Sequence, residues 1–157
     1  MLAINQTIPS ATLSELTADG MVNHSTEALF ANQKVVLFAV PGAFTPTCSE
    51  EHLPGYVVHA DQIKAKGVDT IICVSVNDAF VMKAWGETHN ASELMMLGDG
   101  DASFTKALGL EMETGAFGGT RSQRYAMVVD NGVVTHLNVE EGGAFEASKA
   151  ETILNQL

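Results

Sequence analysis

The chain has 157 residues, of which 46% are hydrophobic, and it carries a net charge of −11 at pH 7. This length predicts one domain over residues 1–157, with enough apolar side chains to bury a substantial core. The negative charge disfavours nucleic acids and anionic membrane surfaces as partners, because their phosphates would be repelled. No apolar run approaches the ~20 residues that span a bilayer, so membrane insertion is not expected.

Two further features indicate the compartment. The first residues, Met-Leu-Ala-Ile-Asn, contain no basic segment leading into an apolar stretch, so a secretory signal is not expected. The chain contains two cysteines, and in a reducing compartment such thiols stay free or cycle during catalysis. We therefore expect a cytoplasmic protein.

Apolar stretches of strand length alternate with segments of helical spacing, which is typical of an α/β domain. The first strand is predicted over residues 35–40. A helix is predicted from Pro46 to about Lys66, and Pro54 is expected to kink or interrupt it midway. Residues 70–76 are almost continuously apolar, which predicts a strand that is buried on both faces of a sheet.

The second half of the chain continues this alternation. Five more elements are predicted: a helix over residues 79–89 capped by Asn77-Asp78, a strand over 94–97, strands over 125–129 and 133–137, and an amphipathic helix over 145–157. The last two strands flank Asp130-Asn131-Gly132, which is a strong signal for a β-hairpin.

Cys48 lies where a predicted strand gives way to a predicted helix. The strand ends at a Pro41-Gly42 turn, and Pro46 fits the first turn of the following helix, where its missing N–H is not needed. Cys48 then falls within that first turn, where free backbone N–H groups and the helix dipole favour a thiolate. Because the thiolate is the nucleophilic form of cysteine, Cys48 is the candidate catalytic residue.

The residues around Cys48 resemble those of a known family. The run Pro41-x-x-x-Thr45-x-x-Cys48 resembles the active-site motif of peroxiredoxins, and Val-Pro-Gly-Ala-Phe-Thr-Pro-Thr-Cys-Ser-Glu-Glu-His-Leu-Pro-Gly-Tyr (40–56) resembles the peroxiredoxin-5 group, also called type II. Further matches follow in the family's order at Val74–Phe80, Trp85-Gly86 and Arg124–Gly132.

This resemblance implies a thioredoxin-like α/β fold, in which helices flank a central mixed β-sheet. It also implies a thiol peroxidase that reduces hydrogen peroxide and organic hydroperoxides through one cysteine, with no metal and no organic cofactor. A metal site is not expected on other grounds, because Cys48 and His52 have half-site spacing but no second Cys/His pair completes it.

The expected chemistry is displacement on a peroxide oxygen by a thiolate, which leaves a sulfenic acid and releases water or an alcohol. Cys48 would be the nucleophile. Thr45 lies one helical turn earlier, so its hydroxyl can reach both sulfur and peroxide, although a turn or helix-cap role also fits a threonine there. The backbone N–H groups of Thr47 and Cys48 can donate to the peroxide oxygens.

Three more residues receive candidate roles. The resemblance places Arg124 beside Cys48, where a guanidinium would favour the thiolate and polarise the O–O bond; Arg121 is the alternative for this role. It also implies that Pro41 packs over the sulfur, which is compatible with simple turn formation. His52 lies four residues after Cys48 on the same helix face. It either orients the site by hydrogen bonding or caps an exposed face.

Cys73 lies in the middle of Ile-Ile-Cys-Val-Ser-Val and is expected to be buried as a small hydrophobic residue. No cysteine follows it, and residues 142–148 occupy the region where some relatives carry a resolving cysteine. The sequence therefore predicts a one-cysteine enzyme whose sulfenic acid is reduced by an external thiol. By resemblance, glutathione with glutaredoxin fits best and thioredoxin second, and we expect either protein to act in trans.

The resemblance also implies a homodimer, with Phe44, Pro46 and Phe80 as apolar contributors. Two other functions share part of this pattern. A thiol–disulfide oxidoreductase has the same fold but uses Cys-x-x-Cys, where this chain has Thr45-x-x-Cys48. A peroxide sensor that passes oxidation to a partner protein shares the first chemical step, so the sequence leaves that function open.

Overall fold

The computed structural model describes all residues, Met1–Leu157. Its strands are β1 (Thr12–Thr17), β2 (Gly20–Ser25), β3 (Lys34–Val40), β4 (Thr70–Ser75), β5 (Met95–Gly98), β6 (Glu111–Glu113), β7 (Thr120–Ser122), β8 (Tyr125–Asp130) and β9 (Val133–Val139). Its α-helices are α1 (Thr26–Phe30), α2 (Leu53–Ala65), α3 (Ala79–Thr88), α4 (Ser103–Leu108) and α5 (Ala150–Gln156). A π-helical turn spans Cys48–His52, and a 3₁₀ turn spans Gly115–Phe117.

One seven-stranded sheet organises the molecule, in the order β2-β1-β5-β4-β3-β8-β9. Strand β4 is parallel to both β3 and β5, whereas β8 is antiparallel to β3. Alternate side chains of β3 enter two apolar clusters, Phe38 on one face and Leu37 on the other, so the central strands are buried on both faces. The predicted thioredoxin-like α/β fold with a mixed sheet flanked by helices is confirmed.

The β8–β9 hairpin forms where the sequence predicts it. Its two turn residues, Asn131 and Gly132, have φ angles of 47° and 82°. Asparagine and glycine tolerate this left-handed region, which two-residue hairpin turns require. The strand at 70–76, the helix after Asp78 and the short strand before Gly98 are also present, each within one or two residues of its predicted bounds.

The predicted interruption at Pro54 is present. The chain is helical from Pro46 to Ala65, but the regular α-helix α2 begins only at Leu53, with Pro54 in its first turn. The irregularity lies just before it, in the π-helical turn, where the Leu53 N–H donates to Cys48 O, five residues back.

The predicted start of the C-terminal helix is wrong. Helix α5 begins at Ala150 and not at Phe145, because residues 141–149 form a loop. The N–H groups of Glu146 and Ser148 in this loop donate to the Glu140 carboxylate and not to helical carbonyls.

The sequence analysis also missed the hairpin β1–β2, helices α1 and α4, and the small sheet β6–β7. Strand β2 is largely exposed and polar, so it shows no alternation of apolar residues. None of the helices combines the length and the apolar composition of a membrane-spanning segment.

Candidate active site

The loop between β3 and the helix brings Cys48 to the edge of the core. The Ala43 N–H donates to Asn77 Oδ1 at 3.0 Å, and Ser75 Oγ donates to the same oxygen at 2.6 Å. The end of β4 therefore holds this loop in place. Within it, Phe44 has a φ angle of 62°, a left-handed conformation that a bulky residue rarely adopts. Such strain is common at functional sites.

Cys48 is fully buried and begins the π-helical turn. The first amide of this helical segment to donate a backbone hydrogen bond is that of Ser49, to Thr45 O at 2.9 Å. The N–H groups of Thr47 and Cys48 have no acceptor within the chain. The positive end of the helix and two free donors thus lie beside the thiol.

Arg124 contacts the sulfur directly. Its Nη2 donates to Cys48 Sγ at 3.1 Å, and its Nη1 donates to His52 Nδ1 at 2.8 Å. The guanidinium is therefore held by two partners, and its charge favours a negative sulfur. Arg124 directly precedes β8, the strand next to β3, so the sheet itself brings it beside the helix start.

His52 is fully buried, so the alternative that it caps an exposed face is wrong. Its Nε2 lies 3.1 Å from the carbonyl of Ser148, and Tyr56 Oη donates to the same carbonyl at 2.7 Å. Burial above all, and then the Arg124 charge, lower the pKa of His52 to about 3. The neutral ring donates from Nε2 to the carbonyl and leaves Nδ1 as the acceptor for Arg124.

Thr45 does not hydrogen-bond to the thiol. Its Oγ1 donates to Gly42 O at 2.6 Å. Because its proton is used in this bond, the hydroxyl oxygen is left to accept a hydrogen bond from another donor. A peroxide O–H over Cys48 is such a donor.

Pro41 is half-buried at the mouth of the site. Two clefts open there, and both are lined by Pro41, Thr47, Met112 and Arg124. The sequence analysis missed Met112, which lies in the short strand β6 and carries no motif. The clefts give the polar groups around Cys48 an opening to solvent.

Arg121 plays a different part from Arg124. Its Nη1 donates to Pro41 O at 3.1 Å and its Nε donates to Gly118 O at 3.2 Å. It therefore joins the active-site turn to the β6–β7 hairpin and forms no hydrogen bond with Cys48. A side chain at Gly42 would clash with this guanidinium, since a Cβ there would lie 2.6 Å from Arg121 Nη1.

Cys73 lies in β4, fully buried, on the same face of the sheet as Cys48. Both thiols are free. Burial above all, and then the proximity of Cys48, raise the pKa of the Cys73 thiol well above its ordinary value. Cys73 is therefore a neutral thiol at physiological pH, which is a poor nucleophile.

Comparison with known proteins agrees with this geometry. A family model described as Redoxin matches residues 3–154. "Peroxiredoxin-2E-2, chloroplastic" from Oryza sativa subsp. japonica is 52% identical over 163 residues, which cover 99% of this chain and 72% of that protein. "Peroxiredoxin-2C" from the same plant is 48% identical over 159 residues, which cover 99% and 98%.

A solved structure is also similar throughout. The crystal structure of reduced Prx3 from Vibrio vulnificus, in complex with H₂O₂, has a TM-score of 0.98 and 72% identity and covers 99% of each chain. The family model therefore includes the Cys48 loop and all nine strands. The chain belongs to the peroxiredoxin family and is a thiol peroxidase.

Proposed function

We propose that Cys48 is the peroxidatic thiol of this enzyme and that Arg124, Thr45 and the amides of Thr47 and Cys48 position its peroxide substrate. The observation that carries this proposal is the 3.1 Å hydrogen bond from Arg124 Nη2 to Cys48 Sγ. Hydrogen peroxide and organic hydroperoxides are the proposed substrates. The similar Vibrio vulnificus protein was solved with H₂O₂, which supports the first of them.

The reaction follows from these groups. A peroxide enters at Pro41, its O–H donates to Thr45 Oγ1, and the free N–H groups of Thr47 and Cys48 donate to its oxygens. The Cys48 thiolate attacks one oxygen, so an S–O bond forms while the O–O bond breaks. The departing oxygen leaves next to the Arg124 guanidinium and takes up from solvent the equivalent of the proton that Cys48 released on ionising, which gives water or an alcohol. Cys48 is left as a sulfenic acid.

The proposal extends to the one-cysteine form of the peroxiredoxin-5 group, with an external thiol as reductant. It is supported by the burial of Cys73 within β4 and by the raised pKa of its thiol. Glutathione with glutaredoxin is the first candidate reductant and thioredoxin the second. The cytoplasmic location stays a prediction.

The products of one turnover test this proposal. The reduced protein is mixed with one equivalent of H₂O₂, and mass spectrometry follows the oxidised species with and without glutathione. We expect a sulfenic acid on Cys48 that glutathione converts to a mixed disulfide. Because Cys73 lies in the same apolar cluster as Cys48, the natural competing product is a Cys48–Cys73 disulfide. If that bridge is the main product, the one-cysteine form is refuted.

Peroxide consumption identifies the reductant. Steady-state rates are measured with glutathione alone, with glutathione and glutaredoxin, and with thioredoxin and its reductase. We expect the glutaredoxin system to give the highest turnover. Stoichiometric oxidation without turnover in all three systems would instead support a peroxide sensor that passes oxidation to a partner protein. Insulin reduction should be absent, because the chain lacks Cys-x-x-Cys.

A homodimer is the proposed assembly. Phe44 and Phe80 are exposed at 55% and 62% of their surface, although large aromatic side chains are usually covered. Pro46 is also exposed, beside Phe44 in the Cys48 loop. We expect light scattering to give a dimer mass at micromolar concentration and Phe80→Asp to give a monomer, with Val58→Asp as the control at an exposed apolar residue of α2.

A further inference from the structure

Glu140 follows β9 directly, and its side chain is turned inward, with only 8% of the residue exposed. Its Oε2 accepts hydrogen bonds from the N–H of Glu146 at 2.9 Å, the N–H of Ser148 at 2.8 Å and Ser148 Oγ at 2.6 Å. Its Oε1 accepts from the N–H of Ala147 at 3.2 Å. One carboxylate therefore organises three consecutive amides of the loop before α5.

The loop that Glu140 holds is in contact with the catalytic site. The Ser148 carbonyl accepts from His52 Nε2, and His52 Nδ1 in turn accepts from the Arg124 guanidinium that contacts Cys48 Sγ. Glu140 is thus linked to the sulfur by a continuous chain of hydrogen bonds through Ser148, His52 and Arg124. The Glu140–Ser148 link spans eight residues, whereas each of the other three links spans more than 70.

A second contact joins Glu140 to Arg124 more directly. The backbone N–H of Glu140 donates to Arg124 O at 2.9 Å. Glu140 therefore fixes the main chain of Arg124 through its own backbone and the side chain of Arg124 through the loop. The same loop places the Phe145 ring 6.0 Å from Arg124 Cζ and 5.1 Å from the His52 ring, which covers both groups.

We infer that Glu140 is a positioning residue for the peroxidase reaction, whose carboxylate holds residues 146–148 so that Ser148 and His52 fix the Arg124 guanidinium against Cys48. The inference rests on the proposed roles of Cys48 and Arg124. An arginine side chain has many rotamers, and only a fixed guanidinium contributes its full effect to a developing charge. Glu140 itself hydrogen-bonds to neither the sulfur nor the guanidinium, so it acts through these other residues.

The first experiment compares Glu140→Ala, Glu140→Gln and Glu141→Ala. Glu141 is the matched control, because it is the adjacent glutamate but is exposed and its carboxylate has no partner. The measurements are the second-order rate constant with H₂O₂ and the thiolate absorbance at neutral pH. We expect Glu140→Ala to lower the rate about tenfold or more, since small displacements of a catalytic group have large effects. Its thiolate absorbance should fall as well.

Glu140→Gln should restore most of the activity, to within about threefold of wild type. A glutamine oxygen in place of Oε2 keeps three of the four hydrogen bonds, since only the N–H of Ala147 bonds to Oε1. Glu141→Ala should match the wild type in both measurements. A loop that matters only for folding would change thermal stability without changing the thiolate absorbance of the folded protein.

The decisive experiment places Glu140→Ala in an Arg124→Gln background. If Glu140 acts through Arg124, the double variant is no slower than Arg124→Gln alone. An equal loss of rate in both backgrounds would overturn the inference. Glu140→Asp, which keeps the charge but draws the carboxylate back by one methylene, is measured in the same two backgrounds, so the test does not depend on the folding of one variant.

The two proposals fail in different ways. Wild-type rates in Arg124→Gln would overturn the role of Arg124 and this inference with it. A slow Arg124→Gln variant combined with wild-type rates in Glu140→Ala would overturn the role of Glu140 alone.

Discussion

The surroundings of the two cysteines differ, although both thiols are fully buried in the same apolar cluster. Cys48 lies at a helix start, beside free N–H groups and 3.1 Å from Arg124 Nη2. Cys73 lies within β4, where its neighbours on the adjacent strands are Phe38 and Met96. Burial alone therefore does not decide the reactivity of a thiol. The polar groups directed at the sulfur decide it.

The largest expected effect separates the two thiols themselves. Cys48→Ser should abolish peroxidase turnover, because a serine hydroxyl is not ionised at neutral pH and does not attack peroxide. Cys73→Ala should keep most of the rate, since it removes only a small apolar group and adds no polar one to the strand. Both are measured by peroxide consumption, with circular dichroism to establish folding. An inactive but folded Cys73→Ala variant would reverse the comparison.

The second effect concerns the arginine that distinguishes the surroundings of Cys48. Arg124→Gln should slow the reaction with H₂O₂ by ~10²- to 10³-fold, the usual cost of removing a charge-stabilising donor. The thiolate absorbance at neutral pH should fall too. Arg121→Gln is the matched control, since Arg121 bonds only to the Pro41 and Gly118 carbonyls. If stopped-flow assays showed that Arg121→Gln reacts more slowly with H₂O₂ than Arg124→Gln does, this assignment would be contradicted.

The third effect concerns Thr45. Thr45→Val keeps the shape but removes the oxygen that we propose accepts from the peroxide, so we expect a rate loss of about 10- to 100-fold. Thr45→Ser keeps the hydroxyl and the bond to Gly42 O, so it should stay close to wild type. The measurement is the stopped-flow rate with H₂O₂ for Thr45→Val and Thr45→Ser. The thiolate absorbance of Cys48 should be unchanged in both variants. Equal losses in the two variants would show that the methyl group matters and the hydroxyl does not.

The smallest expected effect is on the pH dependence of the protein's folding stability, through the Glu140 carboxyl group. Burial raises the pKa of Glu140, but hydrogen bonds from Ser148 and from the loop N–H groups outweigh it, so the pKa lies below its ordinary 4.5. A lowered pKa stabilises the folded protein above pH 4.5, and this stabilisation is lost as the pH falls through the lowered value.

Glu140→Gln should therefore destabilise the protein at pH 7 by about 1 kcal/mol, and the difference from wild type should narrow below pH 4.5. Thermal unfolding of both proteins from pH 7 to pH 3 gives the measurement. Cys73→Ala is the control, because the Cys73 thiol does not titrate between pH 3 and pH 7. The difference in unfolding temperature between this variant and wild type should therefore stay constant. If the difference in unfolding temperature between Glu140→Gln and wild type grew larger in acid, the lowered pKa of Glu140 would be contradicted.

Much of the central fold could be predicted from local patterns. The continuous apolar strands β3 and β4, the Asp78 cap and the Asn131-Gly132 turn each reflect a preference that a few neighbouring residues express by themselves. The position of Cys48 at a helix start could be predicted for the same reason, since the strand, the turn and Pro46 are adjacent in sequence. These features depend on contacts along the chain.

The surroundings of Cys48 depend on contacts across the chain, and the tertiary structure alone decided them. The sequence resemblance implied Arg124 as the partner of the thiol, but its contact with His52 required the sheet to place β8 beside β3. Glu140 and Ser148 carry no motif; Ser148 bonds to Glu140, eight residues away, and its carbonyl accepts from His52, 96 residues away. Backbone carbonyls and amides act as the partners there, and every residue type supplies those, so no pattern of side chains could reveal them.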